Sequence, residues 1–195
     1  YLEKKETDIT SKILEKIPNK SFIVCYAGSI GTGTTLKPLI EVAGELRNTN
    51  IKFLIIGDGS EKKKLEELSY SMKSKNIIFT GRIKKNVVHQ ILQKVDVCIQ
   101  STRKSKLYDY GSASIKLCEY LYAKKPVIHC YSGKYSLIER YKIGTIIESE
   151  NKYQLKEAIL FLKSIPRNNL LRIGEKGKEI ALKNFEYTKL TKDLE

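Results

Sequence analysis

The sequence predicts an α/β fold: a doubly wound parallel sheet of about six strands with helices on both faces. Three observations carry this expectation. Strand-like apolar runs alternate with helix-like segments along the whole chain. The strand runs are mostly apolar rather than alternating, as fits strands covered on both faces. Unusual polar or glycine-bearing loops follow the first, third and fourth runs, and in the strand order 3-2-1-4-5-6 all three share one rim, the carboxyl edge where such sheets bind ligands.

The elements follow in order. Residues 1–20 are polar, with a helical tendency from Asp8 to Lys16 before Ile17-Pro18, and are expected to be a lead-in segment. Phe22–Ala27 is the first strand, closed by Gly28. Thr35–Arg47 carries Leu36, Leu39, Ile40, Val42, Ala43 and Leu46 at helical spacing. Ile51–Ile56 is a strand closed by Gly57-Asp58-Gly59, and Ser60–Met72 an exposed helix. Asn76–Thr80 is a strand ending at Gly81, Lys85–Gln93 a helix and Val95–Gln100 a strand. A polar loop over 101–113 leads to a helix over about 114–123. Val127–Cys130 is a strand, Ser136–Tyr141 a short helix and Thr145–Glu148 the sixth strand. Helices near 152–163 and 167–184 complete a binding domain expected over 21–193. Leu194-Glu195 reads equally as chain or as a tag-junction remnant.

A chain of 195 residues buries a full core without staples. No apolar run approaches the roughly 18 residues of a membrane span, and no secretory h-region opens the chain. Cys25, Cys98, Cys118 and Cys130 form no C-x-x-C pair and read as small core residues of a reducing compartment. The formal charge is +14, yet only six of the 36 basic residues are Arg. Arg is the usual reader of base edges, so the excess fits a cation-rich surface rather than nucleic-acid recognition, and no nucleic-acid partner is expected.

Gly28-Ser29-Ile30-Gly31-Thr32-Gly33-Thr34-Thr35 follows a strand and opens a helix. Its spacing is not that of the dinucleotide fingerprint. A P-loop would need Lys where Thr34 stands. Two readings stay open: a flexible turn, or a glycine loop that lets a diphosphate approach the backbone. The stretch Tyr110–Ile128 (YGSASIKLCEYLYAKKPVI) is the most informative. Small residues, with Gly111 allowing close approach and Ser112 or Ser114 as caps, lead into a helix whose amides can hold an anion. Lys116 and Glu119 share a face of that helix. They read either as a surface ion pair or as a phosphate cation beside a hydroxyl acceptor. Arg82 is either a solvated rim residue or a contact to base or phosphate. Arg103–Lys106 is a solvated loop or a cationic lip. Asp58 reads as a turn former, and His89 and His129 as core or surface residues.

Four segments together resemble one family. FIVCYAGSIGTGTTLKPLIEVAGEL, FLIIGDGSEKKKLEEL, NIIFTGRIKKNVVHQILQKVDVCI and KLCEYLYAKKPVI are similar, in that order, to the carboxyl-terminal, donor-binding half of GT-B fold, family-4-type glycosyltransferases, a Rossmann-like domain. By position, Glu119 matches the second Glu of the family's E-x7-E motif, which binds ribose hydroxyls. The first would fall at Gly111. The usual loop Arg and Lys would fall at Ser29 and Thr34. These departures resemble a branch among bacterial capsular and surface-polysaccharide transferases with Y-G and serine ahead of K-L-x-[DE]-Y. Here those are Tyr110, Gly111, Ser112-Ala113-Ser114, Lys116, Leu117, Glu119 and Tyr120.

The resemblance implies an enzyme that moves a sugar from a nucleotide-diphosphate sugar, UDP-sugar favoured, to a polysaccharide or lipid-linked acceptor, with retention and without a cofactor or obligatory metal. It implies a donor site of Gly28, Ser29, Gly31, Arg82, Ile83, Gly111, Ser112, Ser114, Ile115, Lys116 and Glu119, with Lys116 and the amides of 112–115 replacing the absent loop cations. The catalytic side chain is expected on an amino-terminal domain outside this sequence, and the fragment is expected to bind nucleotide without catalysing transfer. A cytoplasmic protein, peripheral at the inner membrane face in its full-length form, is the expected setting. The alternatives are a non-catalytic nucleotide-binding module and a degenerate P-loop NTPase.

Overall fold

The computed structural model describes residues 2–110 and 114–185. The Leu194-Glu195 reading lies outside them. The chain runs α1 (Leu2–Leu14), β1 (Phe22–Ala27), α2 (Lys37–Glu45), β2 (Ile51–Ile56), α3 (Lys62–Ser71), β3 (Ile77–Gly81), α4 (Lys85–Leu92), β4 (Val97–Ser101), a 3-10 turn (Lys106–Tyr110), α5 (Ile115–Tyr122), β5 (Val127–Cys130), α6 (Leu137–Tyr141), β6 (Gly144–Ile147), α7 (Lys152–Ser164) and α8 (Arg167–Phe185). The strands form one parallel sheet in the order β3-β2-β1-β4-β5-β6, the expected doubly wound topology.

Most expected boundaries shift by a residue or two, and three of the shifts have a clear local reason. The first helix starts at Leu2 rather than Asp8, because Leu-Glu-Lys-Lys-Glu are all good helix formers. The second begins at Lys37, where Pro38 occupies a first-turn position that needs no donor. The last strand begins at Gly144, paired with Val127, and any side chain at 144 would strike the Val127 carbonyl.

The sheet separates two apolar layers. Val24 and Tyr26 of β1 face α2 and α7, among Leu39, Ile40, Leu155 and Ile159. Ile23, Cys25 and Ala27 face α4 and α5, among Val87, Ile91, Leu117 and Tyr120. Strand β1 pairs with β2 along its whole length, Phe22↔Ile51 to Ala27↔Ile56. With β4 it pairs only at Val24↔Val97 and Cys25↔Cys98. The two strands therefore part after Cys25, and the opening at the switch point is where α5 inserts. The cysteines are all free, and Cys25, Cys98 and Cys130 are buried.

His129 is buried in β5, stacked on Tyr131 at 4.5 Å with Nδ1 3.4 Å from Ser136 Oγ. Burial pulls its pKa down from 6.5 to about 4. Between those values the unfolded chain binds a proton that the folded chain refuses, so stability falls as pH falls through this window. Urea unfolding at pH 7 and pH 4.5 should show the parent losing about 2 kcal/mol more than His129→Gln. Equal losses would show the ring taking its proton while folded.

Candidate functional site

The loop after β1 is built by close backbone contact with the loop after β2. Gly28 N–H donates to Ile56 O (2.9 Å), Ile30 N–H to Asp58 O (2.9 Å) and Glu61 N–H to Ile30 O (3.1 Å). The Gly28 carbonyl lies where a side chain at Gly57 would be, and Gly57 has φ +136°. Glycine at 57 is thus a packing requirement as well as a turn choice. Asp58 closes its own turn by accepting from Gly59 N–H (2.9 Å), as expected.

Helix α5 enters from the other side. Its cap is Ser114, whose Oγ accepts from Leu117 N–H (3.4 Å). The Lys116 stem crosses Gly28 in the space a Cβ would fill, with Nζ 2.7 Å and Cδ 2.8 Å from that position. Its ammonium donates to Tyr26 Oη (2.9 Å) and sits 5.1 Å from that ring's centre. The Tyr26 hydroxyl donates in turn to Ser29 O (2.6 Å). A cation from α5 is thereby fixed on a glycine loop that has none of its own at Ser29 or Thr34.

One turn further along α5, Glu119 accepts from Lys85 Nζ at 2.9 Å. Its side chain is 27% exposed and that of Lys85 72%. Exposed pairs of this kind open at little cost. Beneath, Tyr120 is fully buried. Its hydroxyl accepts from Ala27 N–H and donates to Ala27 O, both at 2.9 Å.

These elements enclose a cavity of about 330 Å³ at the carboxyl ends of β1, β2 and β3. Of the expected residues it gathers Gly28, Ser29, Arg82, Ile83, Lys116 and Glu119. Three expected residues do not line it. Gly31 is half-buried beside Ser29, whose Oγ a side chain at 31 would meet at 3.9 Å, and is not in the lining. The Ser114 hydroxyl is spent on capping. Ile115 is 77% exposed, on the α5 face towards Tyr122 and Leu182. Gly111 and Ser112 lie outside the described residues. The lip expected at Arg103–Lys106 is partly tied away from the cavity, since Lys104 bonds Glu148 (2.9 Å) and Glu150 (3.3 Å) beside β6.

Sequence reasoning missed Lys85, Val88 and His89, which also line the cavity. The four-residue step from Lys85 to His89 was a usable sign that both share a face. The cavity thus holds Lys116 against the glycine loop, the Glu119–Lys85 pair, and Ile83, Val88, His89 and Arg82. Such a set of groups can hold a ligand that combines an anionic group, hydroxyls and a flat ring.

Comparison with known proteins agrees. Residues 9–180 match the model of the family described as "Glycosyl transferases group 1". A putative colanic acid biosynthesis glycosyl transferase, WcaI, from Escherichia coli (strain K12) is 33% identical over 63 residues, 32% of this chain and 16% of that protein. A glycosyltransferase structure from Rickettsia africae ESF-5 superposes with a TM-score of 0.76 at 20% identity, covering 96% of this chain and 50% of that one. The Anabaena protein Alr3699/HepE, solved with UDP and glucose, superposes with a TM-score of 0.75 at 14% identity over 96% and 50% of the two chains. The chain therefore spans half or less of the length of these relatives. Four motifs in order, a six-stranded doubly wound sheet and a family match across most of its length converge: the chain belongs to the glycosyl transferases group 1 family.

Proposed function

We propose that this chain is the donor-binding half of a glycosyltransferase that moves a sugar from a UDP-sugar to a polysaccharide or lipid-linked acceptor. One observation carries the reading: Lys116 and Glu119, one helical turn apart, enter the same cavity, with the Lys116 ammonium on the glycine loop. The spacing suits a diphosphate and its ribose. Lys116 would hold the phosphates with a charge-assisted bond. Glu119 would exchange Lys85 for ribose hydroxyls. Ile83, Val88 and His89 would flank the base. As the glycosidic bond breaks, negative charge grows on the departing diphosphate, and a cation already fixed by Tyr26 stabilises it without reorganising. The UDP and glucose bound to HepE support uridine as the base and a hexose as the cargo. The WcaI match supports a surface-polysaccharide setting.

On this reading a second domain closes over the cavity and supplies the acceptor site and the catalytic side chain, and transfer retains configuration. The 50% coverage of the superposed structures supports a two-domain enzyme. Among the described residues no helix is long and apolar enough to cross a membrane. Calorimetric titration of the chain with UDP, GDP and ADP, with and without chelator, tests the reading. UDP should bind best, chelator should change nothing, and the chain alone should transfer no sugar. Glu119→Ala should weaken UDP about tenfold and leave pyrophosphate unchanged. Equal binding of UDP by parent and variant would remove the ribose role.

A further inference from the structure

At the opposite, amino edge of the sheet lies a second polar cavity, of about 260 Å³. It is separated from the first by a strand's length, about 20 Å. Two turns and a helix start enclose it. Gln93–Asp96 lead into β4, Lys124-Lys125-Pro126 lead into β5, and Arg167–Leu171 begin α8. Gly174 of α8 lies directly on the Lys124 carbonyl, which fixes the helix against the turn.

Its charges do not balance. Lys94, Lys124, Lys125 and Arg167 line it against one carboxylate, Asp96. That carboxylate is already engaged: Oδ2 accepts from Ile23 N–H (2.8 Å), and Oδ1 faces Arg167 Nη2 at 3.7 Å. Lys124 faces Glu175 at 3.7 Å, both side chains about half exposed. Lys125 is the anomaly. The residue is only 8% exposed, and among the described residues its ammonium has one hydrogen-bond partner, the neutral carbonyl of Gln93 (3.0 Å). A lysine this buried, whose ammonium has one neutral acceptor, keeps two donors for a further partner. Burial, Arg167 and Lys94 all act to lower its pKa, with Asp96 opposing. An oxyanion in the cavity would accept from Lys125, Arg167 and Lys94 together.

We infer that this cavity binds a phosphate group, as a second anion site independent of the nucleotide cavity. Its walls are two tight turns and a helix start, so it exists before the ligand arrives. The ligand could be the headgroup of an acidic phospholipid or a soluble phosphate ester, since both present the same oxygens.

The test is a titration of the chain with inorganic phosphate, followed by amide NMR. Saturable shifts at 93–96, 124–125 and 167–171 are expected, separate from any at 28–31. Lys125→Met should raise the phosphate Kd about tenfold and Arg167→Gln about threefold, with UDP affinity unchanged in both. Arg167 is 78% exposed at its side chain, so that variant should fold even if the first does not. Shifts confined to the nucleotide cavity, or a Kd unmoved by both substitutions, overturn the inference. Sedimentation with phosphatidylglycerol vesicles that depends on Lys125 and is competed by phosphate identifies the lipid source. Phosphate binding without sedimentation identifies the soluble one, and neither kind of binding refutes the site.

Discussion

Lys116→Met is expected to weaken UDP binding about thirtyfold or more, the largest effect on affinity of any single substitution in the cavity. The reason lies in what surrounds the ammonium. The glycine loop supplies no side-chain cation at Ser29 or Thr34, so on the proposed reading Lys116 is the diphosphate's fixed positive partner there. A hydrogen bond to a charged group contributes about 1.5–3 kcal/mol, a factor of ten to over a hundred. Methionine keeps an unbranched stem in the space over Gly28 that Lys116 fills, so the loop retains its support and only the charge is removed. UDP and pyrophosphate should lose affinity by the same factor, and uridine should lose none. Lys116→Arg is not a rescue, because a planar guanidinium does not fit the narrow passage over Gly28 towards Tyr26. An unchanged pyrophosphate affinity in Lys116→Met would place the diphosphate elsewhere in the cavity.

That Lys116 and Glu119 enter one cavity was legible because their relation is local: three residues apart on one helix face, one turn inside a helix that starts at the rim. The six strands were legible for a related reason. A strand buried on both faces is mostly apolar rather than alternating, and β1, β2 and β5 begin and end where the sequence places them. Lys85 and His89 were illegible as site residues because their role depends on which face of α4 meets α5, a matter of packing across the sheet. The Lys85–Glu119 pair joins residues on two different helices, and no spacing rule links them. The position of Gly31 outside the lining was illegible for the converse reason. Glycine spacing marks a loop that can approach a ligand, but only the contacts with Asp58 and Gly59 decide which glycine faces inward.

Tyr120 shows that limit most sharply, and its removal should have the largest effect on stability. In a parallel sheet, alternate residues of a strand bond to alternate neighbours. The amides of Phe22 and Gly28 bond on the β2 side, while Ile23 O accepts from Asp96 N–H on the β4 side. The alternation turns Ala27 towards β4, but β4 has already separated after Cys25. The Tyr120 hydroxyl stands in for the missing strand, taking the Ala27 N–H and giving its proton to the Ala27 carbonyl. Tyr120→Phe leaves both groups unpaired in a fully buried setting, at about 1–3 kcal/mol each. Unfolding in urea should therefore show a loss of about 2–4 kcal/mol, and melting a fall of roughly 5–15 °C. Because Ala27 carries Gly28, the loosened strand end should also weaken UDP binding. Tyr26→Phe, whose hydroxyl meets the part-buried Ser29 carbonyl and Lys116, should be the milder change to stability. A Tyr120→Phe protein within 0.5 kcal/mol of the parent, a threshold set by ordinary surface substitutions, would mean that water replaces the hydroxyl and that α5 does not close the sheet at its switch point.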